Sequence, residues 1–263
     1  MIRKTIHTKR QVLLLVFIIS ALQFITNTAG AQVNIPYESA KIQLAYKNPA
    51  YLSFNVKYTY AYETTPTTIL DSSTGSFKIS GTYYWGSIDS TEFMQNSSYS
   101  IMAYKPGKLM NINNPATVYP QIANFSTLDS LLGKSGYTSS LTNSGANKLI
   151  TLTFSDPNNP YKNFKVYYDS TSNLVTQISY TIRENFLSYD DNYNQSASGS
   201  SSPYVIVKAD YINYQTTAFS NTVFLTSNYF VITGGVYYPQ SPYSAYEVFL
   251  AAPNLFLTPQ QIQ

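Results

Sequence analysis

The side chains that this chain offers for chemistry are carboxylates, lysines, hydroxyls and amides. Its 263 residues include no Cys and a single His, His7, which lies close to the N-terminus. Catalytic triads built on His, imidazole general bases, and zinc sites that use thiolates or imidazoles all need side chains that the rest of the chain lacks. Carboxylate chemistry, lysine chemistry and the binding of hard cations by oxygen ligands remain.

Two carboxylates that face each other across a substrate are needed to hydrolyse a glycosidic bond. The candidates are Asp89, Glu92, Glu184 and Asp210. The first two lie beside a predicted turn, Glu184 ends a predicted strand, and only Asp210 lies within one. Lys208 shares a strand face with Asp210, so the spacing favours a neutralising pair, or an alternation broken by a bulge, over catalysis. We therefore expect no catalytic residues and no enzymatic activity.

Residues 190–194 read Asp-Asp-Asn-Tyr-Asn, a cluster of oxygen ligands of the kind that calcium prefers. The common twelve-residue calcium loop also needs Gly at position six and Glu at position twelve, where this sequence has Gln195 and Ser201. The pattern favours a solvated loop. We expect neither a metal site nor a cofactor.

The N-terminal segment 1–31 has the pattern of a secretory signal peptide. Arg3 and Lys4 begin a basic stretch, an apolar run follows from Gln11 to Ile25, and small residues at 29–31 fit a cleavage site. The apolar run of roughly 15 residues is short of the ~20 that span a bilayer, which argues against an uncleaved anchor. We expect cleavage after Ala31 and a single β-rich domain over residues 32–263, without a transmembrane anchor.

Cleavage would also remove the positive balance of the chain. Four of the 16 Lys and Arg residues lie in segment 1–31, so residues 32–263 carry 12 basic and 13 acidic side chains. Nucleic-acid-binding proteins need a dense basic surface that displaces phosphate counterions. We therefore expect an exported protein, periplasmic or extracellular, that does not bind nucleic acid.

Hydrophobic periodicity predicts one short helix and then many short strands. Residues 37–47 fit a helix that ends before Asn48-Pro49. The period then changes to two, and a single strand face carries Leu52, Phe54, Val56, Tyr58, Tyr60 and Tyr62. One face of such a strand is expected to be buried and the other wet. Short alternating runs between turn residues predict an antiparallel meander, with strands at 75–80, 82–88, 92–95, 99–105 and 108–112.

The pattern resumes after an irregular stretch. Leu128, Leu131 and Leu132 have helical spacing and predict a short helix over residues 127–133, whereas residues 138–147 have the polar composition of a connection. Further strands are predicted at 148–154, 164–168, 174–184, 204–214, 229–233, 236–238 and 246–250. Two of these strands place on one face Leu174, Ile178, Tyr180 and Ile182, and Tyr204, Ile206, Ile212 and Tyr214, respectively. Residues 190–203 are predicted to form a flexible loop, and the order of the tail 251–263 is left open.

This order of elements resembles the periplasmic lipoprotein-carrier (LolA/LolB-like) superfamily. The resemblance spans residues 37–250, and it is carried by the helix before a long strand, the meander 75–85, the predicted helix at 128–132 and the strand pair at 164–178. It implies a mainly β fold with small helices: a strongly curved antiparallel sheet, or incomplete β-barrel, that one or two helices close over an apolar cavity. The carriers keep an arginine on an early strand, where this chain has Tyr83-Tyr84-Trp85.

The implied cavity needs large and adaptable apolar side chains. We expect it to be lined by Phe77, Trp85, Met94, Met102, Met110 and Tyr180, for which core packing is the alternative. The expected function is non-catalytic binding or carriage of a lipid or a lipoprotein acyl chain. The alternative is a cell-envelope module whose exposed Tyr, Asn and Thr side chains contact glycans or proteins. A peripheral contact with the envelope is compatible with both, and the oligomeric state is left open.

Overall fold

The computed structural model describes residues 34–47, 49–115, 136–187 and 203–251. The chain divides into the units Met1–Asn34 and Ile35–Gln263, and the account below concerns the second. Several predicted features lie outside the described residues: the signal peptide, the helix at 127–133, the acidic cluster at 190–194 and almost all of the tail.

One α-helix and fourteen β-strands make up most of the described residues. The helix, α1, spans Ile35–Tyr46. The strands are β1 Leu52–Tyr62, β2 Asp71–Ser80, β3 Tyr83–Ile88, β4 Thr91–Gln95, β5 Ser100–Tyr104, β6 Leu109–Asn113, β7 Tyr137–Ser144, β8 Asn147–Phe154, β9 Tyr161–Asp169, β10 Val175–Arg183, β11 Tyr204–Gln215, β12 Phe230–Thr233, β13 Val236–Pro239 and β14 Glu247–Leu250. The first predicted helix and the predicted strands are confirmed to within a few residues. The connection predicted at 138–147 is wrong, because most of it is strand β7.

Twelve of the strands form one large curved sheet that is not closed into a barrel. Their order is β14-β6-β5-β4-β3-β2-β1-β11-β10-β9-β8-β7, and β12 pairs separately with β13. Neighbouring strands are antiparallel except β14 and β6, which run parallel. The predicted fold class, a mainly β protein with a curved and open sheet, is therefore confirmed.

The helix α1 packs on one side of this sheet, which we call the helix face. The Tyr46 ring meets Phe54 edge-on at 5.9 Å between centroids. The backbone N–H of Val175 donates a hydrogen bond to the Tyr46 hydroxyl at 3.1 Å. Side chains buried on this face include Leu52, Phe54, Val56, Phe77, Ile150, Leu152, Phe164, Val166 and Ile178. It is the face that the period-two pattern of β1 predicts.

The side chains of β4–β6 that are buried in a second core lie on the opposite face of the sheet. Residues 219–246, which we call the C-terminal cap, cover it. The shared core consists of Met94, Ile101, Ala103, Met110, Ile112, Tyr229, Phe230, Tyr237 and Tyr243. On β5 and β6 the buried face is therefore the one beneath the cap, and the helix face carries the exposed Met102, Tyr104 and Leu109. These strands have one buried and one wet face, as expected, and so does β1, where Asn55 and Lys57 are exposed.

A bulge in β11 reverses which side chains reach the helix face. The buried residues of this strand are Val205, Ala209 and Tyr211, so the predicted set at 204, 206, 212 and 214 does not form the buried face. Asn213 has a φ of +58°, and the pairing of β1 with β11 shifts register between Ser53 and Asn55. Beyond this bulge Tyr214 turns to the helix face, where its ring lies 5.1 Å from that of Phe54.

Candidate functional site

A row of mostly apolar side chains crosses the helix face from strand to strand. Side chains that are opposite each other in a ladder lie on the same face of a sheet. By this register the row consists of Phe54, Phe77, Gly86, Phe93, Met102, Asn111 and Phe249. We call this row the apolar track.

Exposure rises along the track. Phe54 and Phe77 are buried and stack at 5.1 Å between centroids with 18° between their planes. Phe93 is half-buried and lies 5.8 Å from Phe77. Met102 and Phe249 are 47% and 46% exposed. The track therefore joins the core beneath α1 to an apolar surface on β5 and β14.

The exposed end of the track is wider than a single row. Tyr104 on β5 and Leu109 on β6 are directly opposite each other in the next row and are both exposed. Both point to the helix face, because each lies two residues from a member of the track. Four large apolar side chains thus form a solvated patch, and such contiguous patches mark binding surfaces more often than scattered apolar residues do.

Gly86 allows the aromatic rings of the track to approach each other. A Cβ atom at this position would lie 2.4 Å from Cε2 of Phe93 and 2.7 Å from Cδ1 of Phe77. We expect Gly86→Ala to lower the free energy of unfolding by about 1–3 kcal/mol, because the rings must move out of their packing. Urea unfolding checks this value.

Two further variants control that experiment. Phe93→Leu removes the closest ring, so the double variant is expected to lose less stability than the sum of the two single variants. Ser87→Ala, at the neighbouring half-buried position, is expected to change the stability by less than about 0.5 kcal/mol. Full stability of Gly86→Ala would contradict the packing described for the track.

The six predicted cavity residues are divided between the two faces. The helix face holds Phe77, Met102 and Tyr180, and the opposite face holds Trp85, Met94 and Met110. Met94 and Met110 are fully buried beneath the C-terminal cap. Alternation along the strands directs the six side chains to both sides of the sheet, so they do not share one surface, and the ligand cavity that they are expected to line stays a prediction. Phe93 was missed, although the alternation within its predicted strand contained it.

A pocket of about 510 Å³ opens at β1, β2, β3 and β11. It is lined by Ser53, Phe54, Asn55, Ser76, Phe77, Lys78, Trp85, Asn213, Tyr214 and Gln215. Lys78 and Trp85 are directly opposite each other in the ladder, and Trp85 is in turn opposite the buried Met94. Of the predicted cavity residues, Trp85 and Phe77 both line the pocket, although their side chains belong to opposite faces of the sheet.

The carboxylates considered for catalysis are engaged by neighbouring groups of the fold. Asp210 pairs with Lys208 at 3.2 Å, as the spacing predicts, and accepts a hydrogen bond from the Gln177 amide at 2.8 Å. Glu184 accepts hydrogen bonds from two tyrosine hydroxyls of β1. The Glu92 carboxylate accepts a hydrogen bond from Nε1 of Trp85 at 2.9 Å.

Burial is the main cause of the raised pKa values of the tyrosines around the track. It raises the pKa of Tyr84 and of Tyr180 above the ordinary value. Burial likewise raises the pKa of Tyr237 in the cap to about 12. These hydroxyls therefore stay neutral near pH 7. Among the described residues, no group of three or more His, Cys, Asp or Glu side chains is placed to hold a metal ion.

Comparison with known proteins gives similarity of fold. No family model matches the chain. A search of curated proteins also finds no match. A LolA superfamily protein from Nitrosomonas europaea is similar with a TM-score of 0.33 and 10% identity, over 74% of this chain and 99% of that one. A putative outer membrane lipoprotein-sorting protein domain from Vibrio parahaemolyticus is similar with a TM-score of 0.31 and 9% identity. The similarity covers 73% of this chain and 96% of that one.

A third solved structure is a complex of MucA and MucB from Pseudomonas aeruginosa, which gives a TM-score of 0.34 and 10% identity over 72% of this chain and 60% of that one. Among the helices of the described residues, none combines the length and apolar character that a membrane span requires.

Proposed function

We propose that this chain is an exported, non-catalytic protein that binds an acyl chain, free or attached to a larger amphiphile, along the exposed end of the apolar track. The observation that carries the proposal is the continuity of the track from buried aromatic rings to the solvated side chains of Met102 and Phe249. An extended acyl chain fits a row of this kind, because its affinity comes from apolar area removed from water, about 25 cal/mol per Å².

The chemistry of the track supports an apolar ligand over a polar one. Among the members of the track, only Asn111 carries a polar side chain. A ligand rich in hydroxyl groups would lose hydrogen bonds to water there and regain few of them. The polar head of an amphiphile can stay in solvent beyond Phe249, which lies on the edge strand β14.

Binding of a fluorescent fatty acid to the processed protein tests this proposal, together with mass spectrometry of lipids extracted from the purified protein. We expect saturable binding, and we expect Met102→Glu to weaken it at least about tenfold, because a charge would have to be desolvated against the acyl chain. Ile69→Glu is the matched control: Ile69 is also large and 51% exposed, but it lies outside the track.

Each result bears on the proposal. Met102 is exposed, so the variant is expected to keep the thermal stability of the parent protein, and a change in affinity then reports on the surface. Equal weakening by Ile69→Glu would point to non-specific adsorption. A lipid-free extract together with the absence of fatty-acid binding would overturn the proposal.

A further inference from the structure

The pocket at β1–β3 and β11 shares Phe54 and Phe77 with the buried end of the apolar track, but its other lining residues are mostly polar. The strand register places Gln215, Ser53, Lys78 and Trp85 in one row across four strands. Asn55 and Ser76 are opposite each other in the next row, and Ser76 Oγ donates a hydrogen bond to Oδ1 of Asn55 at 3.2 Å. The row and its neighbours present hydroxyl and amide groups, one ammonium group and one indole ring.

The indole ring of Trp85 is held in a fixed position. Its Nε1 donates a hydrogen bond to the Glu92 carboxylate at 2.9 Å. The ring also packs against the core beneath the C-terminal cap. A ring whose edge is fixed in this way is a preorganised flat surface, so a ligand that stacks on it loses little further entropy from the protein.

Lys78 brings a positive charge to the pocket. Its Nζ lies 5.7 Å from the centroid of Trp85 and 5.6 Å from that of Phe219 in the cap. Across the ranges that the structure describes, the ion pairs involve Lys41, Lys148, Lys162 and Lys208, and Lys78 has no carboxylate within 4.0 Å. The ammonium group is therefore positioned by two aromatic rings, and its charge is available to an anion.

These groups together fit a hydroxyl-rich ligand that carries a negative charge. An acyl chain would leave the amide and hydroxyl groups of the pocket without hydrogen bonds, which costs free energy. Binding of a nucleic acid needs a dense set of cationic side chains, whereas the lining of this pocket contains a single one, Lys78. A sugar ring can stack its C–H face on an indole, exchange hydrogen bonds with Asn, Gln and Ser, and offer a carboxylate to an ammonium group.

We propose that this pocket binds an acidic saccharide, a mono- or oligosaccharide with a carboxylate group, with Trp85 as the stacking surface and Lys78 as the partner of the carboxylate. The bulge in β11 contributes the remaining wall. Asn213 adopts its positive φ there, a conformation that Asn tolerates better than most residues. This binding surface is separate from the exposed end of the apolar track.

The chain carries its own reporter, because Trp85 is the single tryptophan. We expect titration with a glucuronate-containing disaccharide to change its fluorescence saturably. A neutral disaccharide of the same size is expected to bind at least about tenfold more weakly. Lys78→Met keeps most of the aliphatic stem and is expected to weaken binding of the acidic disaccharide by a similar factor. Dissociation constants are compared, since the substitution also alters the emission itself.

Matched controls separate this proposal from its alternatives. Lys57→Met, at an exposed lysine of β1, is expected to leave the affinity unchanged, whereas Gln215→Ala is expected to weaken it severalfold. Inorganic phosphate that competes as well as the disaccharide would show a simple anion site and overturn the saccharide assignment. Equal affinity of Lys78→Met and the parent protein, or of the neutral and acidic sugars, would overturn it too.

The outcome does not depend on the acyl-chain proposal. Met102→Glu is expected to leave saccharide binding unchanged, and Lys78→Met is expected to leave fatty-acid binding unchanged. Failure of one proposal is therefore distinguishable from failure of the other.

Discussion

Replacing Glu38 by glutamine is expected to lower the free energy of unfolding by about 2–3 kcal/mol at pH 7, because it breaks a buried, charge-assisted network. Glu38 lies on α1 and is 8% exposed. Its carboxylate accepts a hydrogen bond from the Tyr168 hydroxyl at 2.5 Å. It also pairs with Lys41 at 3.0 Å and with Lys148 at 3.5 Å. The network ties the helix to β8 and β9.

The pH dependence of this contribution follows from the pKa of Glu38. Burial acts to raise this pKa, but the hydrogen bonds from Tyr168 and Lys41 and the charges of Lys148 and Lys41 outweigh burial and lower it below 4.5. A carboxyl group with a depressed pKa in the folded state stabilises the fold above its unfolded-state pKa. That stability is lost as the pH falls through the folded-state pKa.

Urea unfolding of the parent protein and of Glu38→Gln at several pH values checks both the size of this contribution to stability and its pH dependence. The difference between them is expected to be full at pH 7 and to shrink as the pH falls from about 5 to about 3. Glu63→Gln is the control, since the pair of Glu63 with Lys162 lies largely in solvent and is worth about 0–1 kcal/mol. A stability difference that does not change with pH would contradict the role of the charge.

Local sequence patterns predict most of this fold, because the alternation of apolar residues and the turn residues mark strand boundaries directly. Strand β7 shows the limit of that signal. Its sequence, Tyr-Thr-Ser-Ser-Leu-Thr-Asn-Ser, lacks a regular apolar alternation, and it lies at the edge of the sheet in the described chain. It pairs with β8 along its whole length. Its strand conformation therefore rests on backbone hydrogen bonding and little on burial of its own side chains.

The faces of the strands were harder to predict than the strands. The alternation of apolar and polar residues predicts which side chains share a face of a strand. Whether that face is buried depends on the element that packs against it. On β11, Ile206 and Ile212 share a face, yet Ala209 and Tyr211 on the other face are buried. The bulge at Asn213 lies where β11 pairs with β1, and β14 pairs in parallel with β6. Both pairings are between strands far apart in the chain. Composition alone could not assign Trp85 to one face and Phe77 to the other.

The Glu92 carboxylate joins the C-terminal cap to the sheet and should be sensitive to mutation. It accepts hydrogen bonds from Nε1 of Trp85 at 2.9 Å and from the Tyr229 hydroxyl at 2.7 Å. The Tyr243 hydroxyl also hydrogen-bonds to it. Burial and the nearby Glu92 carboxylate raise the pKa of both tyrosines, so both hydroxyls remain protonated and donate. Three donors from the sheet and the cap converge on one side chain.

Glu92→Ala removes the shared acceptor and leaves these donors beneath the cap without it. We expect the free energy of unfolding to fall by about 3 kcal/mol, since a buried donor without an acceptor costs about 1–3 kcal/mol. The cap itself should open more often. Hydrogen exchange is expected to accelerate in peptides from residues 225–246 much more than in those from β8 and β9. The emission of Trp85 should shift to the red as water reaches the indole.

The Glu92→Gln variant distinguishes the effect of weaker hydrogen bonds from the effect of removing the whole side chain. It keeps one acceptor oxygen, so its effect should be about 1 kcal/mol, well below that of Glu92→Ala. Glu247→Gln, at an exposed position of β14, should alter neither exchange in the cap nor the fluorescence. Were Glu92→Ala to destabilise the cap and the strands beneath α1 equally, the carboxylate would serve the whole sheet. Faster exchange confined to the cap would instead establish Glu92 as the residue that fastens this segment to β3 and β4.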